Sequence, residues 1–242
     1  MARNSLHFHR LLLLGVALAA PWAAGCSDGP IPEIRSLNPF VRKQWEEDEQ
    51  QIATYHRRAA DLAALRTQVP SMPADEQASA AAELAQRLKD EQSPVMRAEL
   101  VRALGEFGAP AAQTAIVAAM SDESSHVRIA ASKALGRHPS QEGFLALSSA
   151  VADDGNQDVR ITAARELRGF KDFETPPALR PALDDNDPAL QLAAMQSLQT
   201  LTGRTQYGNS VATWREYLDG NDPAPPPGPS LADRWQQLWN WY

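Results

Sequence analysis

The middle of the chain repeats with a period of 31 to 32 residues, and this period constrains the fold more than any other feature. One position holds arginine three times and then glutamine, at Arg97, Arg128, Arg160 and Gln191. Apolar residues stand one place before it and three and seven places after it, which is the spacing of one helix face. They are Met96, Val127, Val159 and Leu190, then Leu100, Ala131, Ala163 and Ala194, then Leu104, Leu135, Leu167 and Leu198. Each repeat is therefore predicted to bury one helix along this stripe.

A second apolar series with the same period lies just upstream in each repeat. It consists of Leu84, Ile116, Leu147 and Leu179, followed four residues later by Leu88, Met120, Val151 and Leu183. Acidic residues then follow, at Asp90, at Asp122, at Asp153 with Asp154, and at Asp184 with Asp185. Each repeat is predicted to be a helix, an acidic turn and a second helix. Gly105, Gly136 and Gly169 stand near the ends of the second helices, where we expect left-handed terminal residues.

The segment from Ser124 to Gly136 resembles the second helix of a HEAT repeat, and the short period resembles the HEAT-like class named after phycobilin lyases. The resemblance covers roughly residues 74–202. It implies an all-α fold, an α-solenoid in the form of a right-handed superhelix, built from four short helix pairs. It does not by itself imply an activity, because one fold serves many functions.

Both ends of the repeat region are predicted to be closed by further helices, because exposed terminal repeats need capping. Residues 42–70 are predicted to form an N-terminal capping helix, although a two-stranded coiled coil would show the same pattern. Two seven-residue apolar series support it, namely Trp45, Ile52 and Ala59, and Tyr55, Leu62 and Val69. Residues 203–220 are predicted to hold a closing helix from about Val211 to Leu218.

The first 25 residues have the pattern of an export signal, with an apolar run far shorter than a membrane-spanning helix. The residues Ala23 to Cys26 resemble the bacterial lipobox, which implies a lipid on Cys26, the only cysteine of the chain. Residues 26–41 would then be an extended tether. The resemblance implies a cell-envelope location, and Ser27 favours the outer over the inner membrane. The alternative is ordinary cleavage that leaves a soluble secreted or periplasmic protein.

The C-terminal part of the sequence combines a proline-rich linker, residues 221–230, with a Trp-rich segment, residues 231–242. The second is predicted to be an amphipathic helix with apolar residues at helical spacing, at Leu231, Trp235, Leu238, Trp239 and Tyr242. Three roles are compatible with this pattern: an anchor at a membrane interface, docking to a partner, or packing back on the solenoid.

Two sets of polar residues recur with the repeat. Arg97, Arg128 and Arg160 follow the acidic turns, and we interpret them as a structural ladder that pairs with turn carboxylates or backbone. Five residues further on stand Arg102, Lys133, Arg165 and Gln196, here named the second-helix column. In HEAT solenoids the second helices line the concave surface. The column is therefore either a cationic ridge for carboxylates or phosphates of a partner, or a solvated helix face.

Catalytic patterns are missing from the sequence. It has no glycine-rich phosphate loop, no nucleophile elbow and no cysteine pair, and no His is followed by Glu as in HEAT-like hydroxylases. The formal charge of -7 disfavours nucleic acid as a partner. We predict a non-enzymatic scaffold, monomeric by itself, with no metal or cofactor and with an unknown envelope protein as its partner. The alternative is an enzyme subunit of the lyase-like group.

Overall fold

The structure, a computed structural model, describes residues 55–224. The chain divides into two compact units between Arg58 and Ala59, and the repeats belong to the second. The predicted signal, the tether, residues 42–54 of the capping helix, most of the proline-rich linker and the Trp-rich segment lie outside the described residues. Cys26 and the five apolar residues of the Trp-rich segment are therefore not described.

The described residues form helices joined by short turns, with no strand between residues 55 and 224. The helices are α1 Tyr55–Gln68, α2 Ala74–Asp90, α3 Pro94–Leu104, α4 Pro110–Ala119, α5 Ser125–Leu135, α6 Gln141–Asp153, α7 Gln157–Glu166, α8 Thr175–Ala178, α9 Arg180–Asp184, α10 Pro188–Thr202 and α11 Val211–Leu218. Single 3₁₀ turns cover Val69–Ser71, Leu167–Gly169 and Thr205–Tyr207. The second helices of the four repeats are α3, α5, α7 and α10. The predicted all-α solenoid is confirmed.

Polar caps fix the starts of three of the four second helices, while α5 begins after Ser124 without a side-chain cap bond. The side chains of Ser93, Asn156 and Asp187 each accept a hydrogen bond from a backbone N–H of the first turn. Pro94 and Pro188 occupy the first helical position, where the missing N–H costs nothing. The start of each helix sets the rotation of its apolar stripe toward the core.

The core follows the sequence stripe closely. Every residue of the stripe on the second helices is buried, and so are Leu84, Ile116, Leu147 and Leu179 on the first helices. Successive second helices also lie closer to one another than successive first helices do. Neighbours are closer on the inner side of a curved stack, so the second helices form the inner layer of the repeat region.

The first helix of the fourth repeat differs from the prediction because it is broken into α8 and α9. Pro176, Pro177 and Pro181 lie within these pieces, and proline removes a backbone donor and clashes with the preceding turn. Leu179 stands at the break and is fully buried, as is Leu183. The repeat therefore keeps its apolar contacts although its helix is interrupted.

The prediction for the repeat glycines is wrong in its physical reason. Gly105 and Gly136 have φ values of -62° and -64°, which are right-handed. Between residues 55 and 224, positive φ occurs at Gly203, Gly208 and Gly220. A Cβ on Gly105 would lie 2.8 Å from the Cβ of Ala134. Gly105 therefore serves close approach of α3 and α5 and not a left-handed turn.

The closing helix α11 seals the stack with aromatic side chains. Trp214 and Tyr207 are buried, with their rings edge to face at 5.1 Å between centroids. The indole Nε1 of Trp214 donates a hydrogen bond to the carbonyl of Gly208 at 3.0 Å. Arg215 donates to the carbonyl of Leu183 and ties α11 to the fourth repeat.

Candidate functional site

Each ladder arginine joins its own turn to the turn of the next repeat. Arg97 donates from Nε and Nη2 to the carboxylate of Asp122, at 2.8 and 2.9 Å, and from Nη1 to the carbonyl of Gln92. Arg128 donates in the same way to Asp154, at 2.8 and 2.9 Å, and to the carbonyl of Asp122 at 2.8 Å. This two-pronged geometry is the strongest form of an arginine–carboxylate pair.

The ladder weakens and then ends toward the C-terminal side. Arg160 donates to the carbonyl of Asp154 at 2.9 Å, but its Nη2 lies 3.6 Å from Asp185 and its buried Nε has no acceptor. Gln191 keeps the bond to its own turn, donating to the carbonyl of Asp185 at 2.7 Å. After the closing helix the chain again has acids, Asp219 and Asp222, but they pair with Arg180 and Arg204 and not with Gln191.

One carboxylate in each turn also accepts the backbone N–H two residues further on, at 2.8 to 2.9 Å. These residues are Glu91, Asp122, Asp154 and Asp185. The first differs from the prediction, since Asp90 closes helix α2 and accepts from Gln86 instead. The turn position therefore accepts either acid, provided the carboxylate reaches the start of the second helix.

The pKa of the two best-paired turn acids reflects this arrangement. Burial by itself would raise the pKa of Asp122 and Asp154, but hydrogen bonds from an arginine and from a backbone N–H outweigh it and lower the pKa of both. Both carboxylates therefore stay ionised, and each already accepts hydrogen bonds from an arginine and from a backbone N–H. We interpret the ladder as part of the framework and not as a binding site.

The second-helix column lies on the inner layer, but its four members are not equivalent. Arg102 is half-exposed and lies 2.6 Å from Glu99 on the same helix. Gln196 is exposed and uncharged. Lys133 and Arg165 are exposed and form no ion pair with any residue of the described range 55–224. The positive charge of the column is thus concentrated in the second and third repeats.

Two arginines that the sequence interpretation missed enlarge this positive region. Arg137 and Arg168 are exposed and, together with Lys133 and Arg165, form what is here named the basic cluster. Arg137 also lies 3.5 Å from Glu106, whereas Arg168 has no ion pair within the described residues. Their sequence signal was a spacing of three or four residues from the column, although they lie just beyond the ends of α5 and α7.

The charges of all four cations of the basic cluster act on the carboxylate of Glu166, although it forms an ion pair with none of them. Burial raises the pKa of Glu166, although the charges of Arg168, Lys133, Arg137 and Arg165 act in the opposite direction. Its side chain occupies the space beside Gly136, where a Cβ would collide with its Cβ, Cδ and Oε2 atoms. Gly136 therefore makes room for a half-buried acid in a positive surface.

Apolar side chains lie one helical turn before the charged positions of the column. Ile129 is half-buried, Ile161 is 8% exposed and Leu192 is 38% exposed, and each stands four residues before a column member. A separate cleft of about 520 Å³ lies between α2 and α4, lined by Leu88, Ala115 and neighbouring alanines, with the Arg97–Asp122 pair at its rim. The cleft is also lined by Lys89, Gln92 and Glu123, so polar and apolar side chains share its surface.

The described residues do not form a ready-made metal site. No group of three or more potential ligand side chains comes together between residues 55 and 224. Over the same range no helix is both long and apolar enough to cross a lipid bilayer.

Helix pairs stacked in one direction, joined by an arginine ladder and closed by an aromatic helix, define an α-solenoid of short repeats. The family model described as HEAT repeats matches residues 81–154 and 144–212, which together span more than half of the chain. The chain belongs to the HEAT repeat family, whose members are typical protein-interaction scaffolds. No curated protein matches the sequence.

Proposed function

We propose that this protein is a non-enzymatic scaffold that binds another protein through the inner layer of its second helices. The observation that carries the proposal is the exposed basic cluster next to partly exposed apolar side chains on a regular helical array. A solenoid presents an extended surface, and such surfaces suit protein partners better than small molecules. The chain as a whole is acidic, so an unpaired positive surface stands out against its background.

The framework keeps this surface in a fixed geometry. The ladder pairs hold successive repeats together, and Ser197 donates a buried hydrogen bond to the carbonyl of Ala164 across the last two repeats. Because the backbone that carries these charges is already ordered, a partner that binds them orders side chains alone. A partner would therefore be recognised by the spacing of its own charges.

The proposal includes a lipid anchor on Cys26 that holds the scaffold in the bacterial cell envelope, with the outer membrane favoured. Its support is the sequence from Ala23 to Ser27 and the presence of a single cysteine in the chain. Changing Cys26→Ser should move the protein from the membrane fraction to the soluble fraction of lysed cells. If the variant stays with the membranes, the lipid anchor is wrong.

The scaffold itself is tested by crosslinking in intact cells and identification of what is captured. A variant with Lys133→Glu and Arg165→Glu should lose the captured protein while its helical circular dichroism and thermal unfolding stay unchanged. A variant with Arg87→Glu and Lys89→Glu, on the exposed face of α2, carries the same change in charge and should keep it. Equal capture by both variants would exclude the inner layer as the binding surface.

The enzyme alternative predicts a different outcome for the purified protein. A bound chromophore or metal, or turnover of a substrate, would show as visible absorption, metal content or product. We expect none of these from a scaffold. If any one of these signals is found, and if it disappears in an inner-layer variant that still folds, the protein is an enzyme subunit and the scaffold proposal is wrong.

A further inference from the structure

Resting on the proposed function, we further propose that the basic cluster binds an acidic segment of the partner chain and that Glu166 competes with this segment for the same cations. The cluster consists of Lys133, Arg137, Arg165 and Arg168. One surface therefore holds both the binding site for an acidic segment and an internal competitor for that segment.

The distribution of charge along the inner layer favours this location. In the first repeat Arg102 is neutralised by Glu99, and in the fourth repeat the column holds the neutral Gln196. Between them, Lys133, Arg165 and Arg168 have no ion pair within the described residues, Arg137 lies 3.5 Å from Glu106, and the charges of all four act on the half-buried Glu166. An anionic partner would gain most where positive charge is not already balanced, and that is the second and third repeats.

The placement of the four cations also indicates the shape of the partner. Lys133 lies in the last turn of α5 and Arg137 two residues beyond its end, while Arg165 lies in the last turn of α7 and Arg168 in the 3₁₀ turn that follows. The two cations of each pair are three or four positions apart in the sequence, and packed helices are about 10 Å apart. Acids three or four residues apart on a helical segment match such a pair, and arginine binds carboxylates with two parallel hydrogen bonds.

One apolar contact gives the segment a direction. Ile129 is half-buried and stands one turn before Lys133 on α5, whereas Ile161, one turn before Arg165, is 8% exposed and belongs to the core. A partner segment with an apolar side chain about one turn from its acids would cover Ile129 and the cations at once. Nucleic acid matches the cations but offers no apolar side chain for Ile129, so a protein segment is the occupant that fits both.

Glu166 supplies an internal competitor for the bound acids. Its carboxylate lies in the space beside Gly136, where the charges of all four cations act on it. Acidic side chains of the partner must share these cations with Glu166, and the negative charge of Glu166 repels those side chains. Glu166→Gln keeps the size of the side chain and removes the charge, so it should strengthen binding of an acidic segment.

The test uses the full chain and a fluorescein-labelled peptide of about twelve residues, with glutamate at every third or fourth place and leucine one turn away, followed by fluorescence anisotropy. Lys133→Gln with Arg168→Gln should weaken binding by about tenfold, because two charge-assisted contacts are lost. Glu166→Gln should tighten binding by about threefold to tenfold. Arg87→Gln with Lys89→Gln is the matched control on the outer layer and should bind as the unchanged protein does.

Three outcomes would overturn the inference: unchanged affinity in the Lys133 and Arg168 variant, weaker binding by Glu166→Gln, or equal binding of a peptide with glutamine in place of glutamate. Tighter binding of duplex DNA than of the peptide would assign the cluster to nucleic acid instead. If the cluster variants lose the partner captured in cells but no acidic peptide binds, the scaffold stands and only the acidic partner falls. Circular dichroism of each variant separates these outcomes from unfolding.

Discussion

Replacing Arg128 by alanine removes one complete connection between the second and third repeats. The change deletes two hydrogen bonds to Asp154, at 2.8 and 2.9 Å, one to the carbonyl of Asp122 at 2.8 Å and one to the carbonyl of Glu123 at 3.2 Å. The two side chains are 17% and 8% exposed. An exposed pair contributes up to about 1 kcal/mol, whereas breaking a buried pair costs about 3–5 kcal/mol. At these exposures we expect the free energy of unfolding to fall by about 2–3 kcal/mol.

Two further variants separate the parts of this loss. Arg128→Gln reproduces the residue found at position 191, where glutamine keeps the bond to its own turn, so it should cost less than Arg128→Ala. Asp154→Ala combined with Arg128→Ala completes a double-mutant cycle. A coupling energy near zero would show that the pair stabilises nothing beyond its separate contacts.

Acid should reduce the effect, and the sign follows from the pKa of Asp154. Burial would raise this pKa, but Arg128 and the N–H of Asn156 lower it below the unfolded value of about 3.9. The contribution is therefore present above that value and is lost as the pH falls through the lower pKa of the folded protein. Urea denaturation followed by circular dichroism at neutral pH and at about pH 3 measures both terms. A loss below about 0.5 kcal/mol at neutral pH, or a difference that does not shrink in acid, would refute the reasoning.

Three other predictions concern packing and use the same denaturation assay. Gly105→Ala should cost about 1–3 kcal/mol because its Cβ would press on Ala134, whereas Gly169→Ala, with its nearest atom at 3.5 Å, should leave stability nearly unchanged. Equal effects of the two would contradict the close-approach explanation. Ser197→Ala should cost about 1 kcal/mol through the buried carbonyl that loses its donor, and no loss at all would show that the bond contributes nothing. Trp214→Ala should cost about 3–5 kcal/mol, since it empties the closing aromatic cluster; a loss below 1 kcal/mol would mean that the stack does not depend on this closure.

The repeat stripe was predictable from the sequence because burial and helical spacing repeat together. Leu104, Leu135 and Leu167 show this directly, since each is fully buried at the same register. The glycine positions were predictable but not their reason, because a close approach between neighbouring helices leaves no mark in a single segment. Gly105 shows this, since its constraint comes from Ala134 in the next repeat.

The candidate site was only partly predictable. The column was found from its period, yet its charge balance depends on residues outside that period, such as Glu99 and Glu106. Arg137 and Arg168 were missed because they stand at different registers in their two repeats. The break at Leu179 was signalled by the prolines around it, but the apolar spacing continued through it and concealed the interruption.

The forward reach of the ladder gives the stack a direction. Arg97, Arg128 and Arg160 each reach the acidic turn of the repeat that follows, and Gln191 reaches its own turn alone. A copy of an inner repeat inserted between the second and third would offer its acid to Arg128 behind it and supply an arginine to Asp154 in front. The same copy placed after the fourth would find glutamine where its neighbour's arginine belongs. Internal duplication could therefore lengthen this chain from within, while growth at its C-terminal side would first require Gln191→Arg.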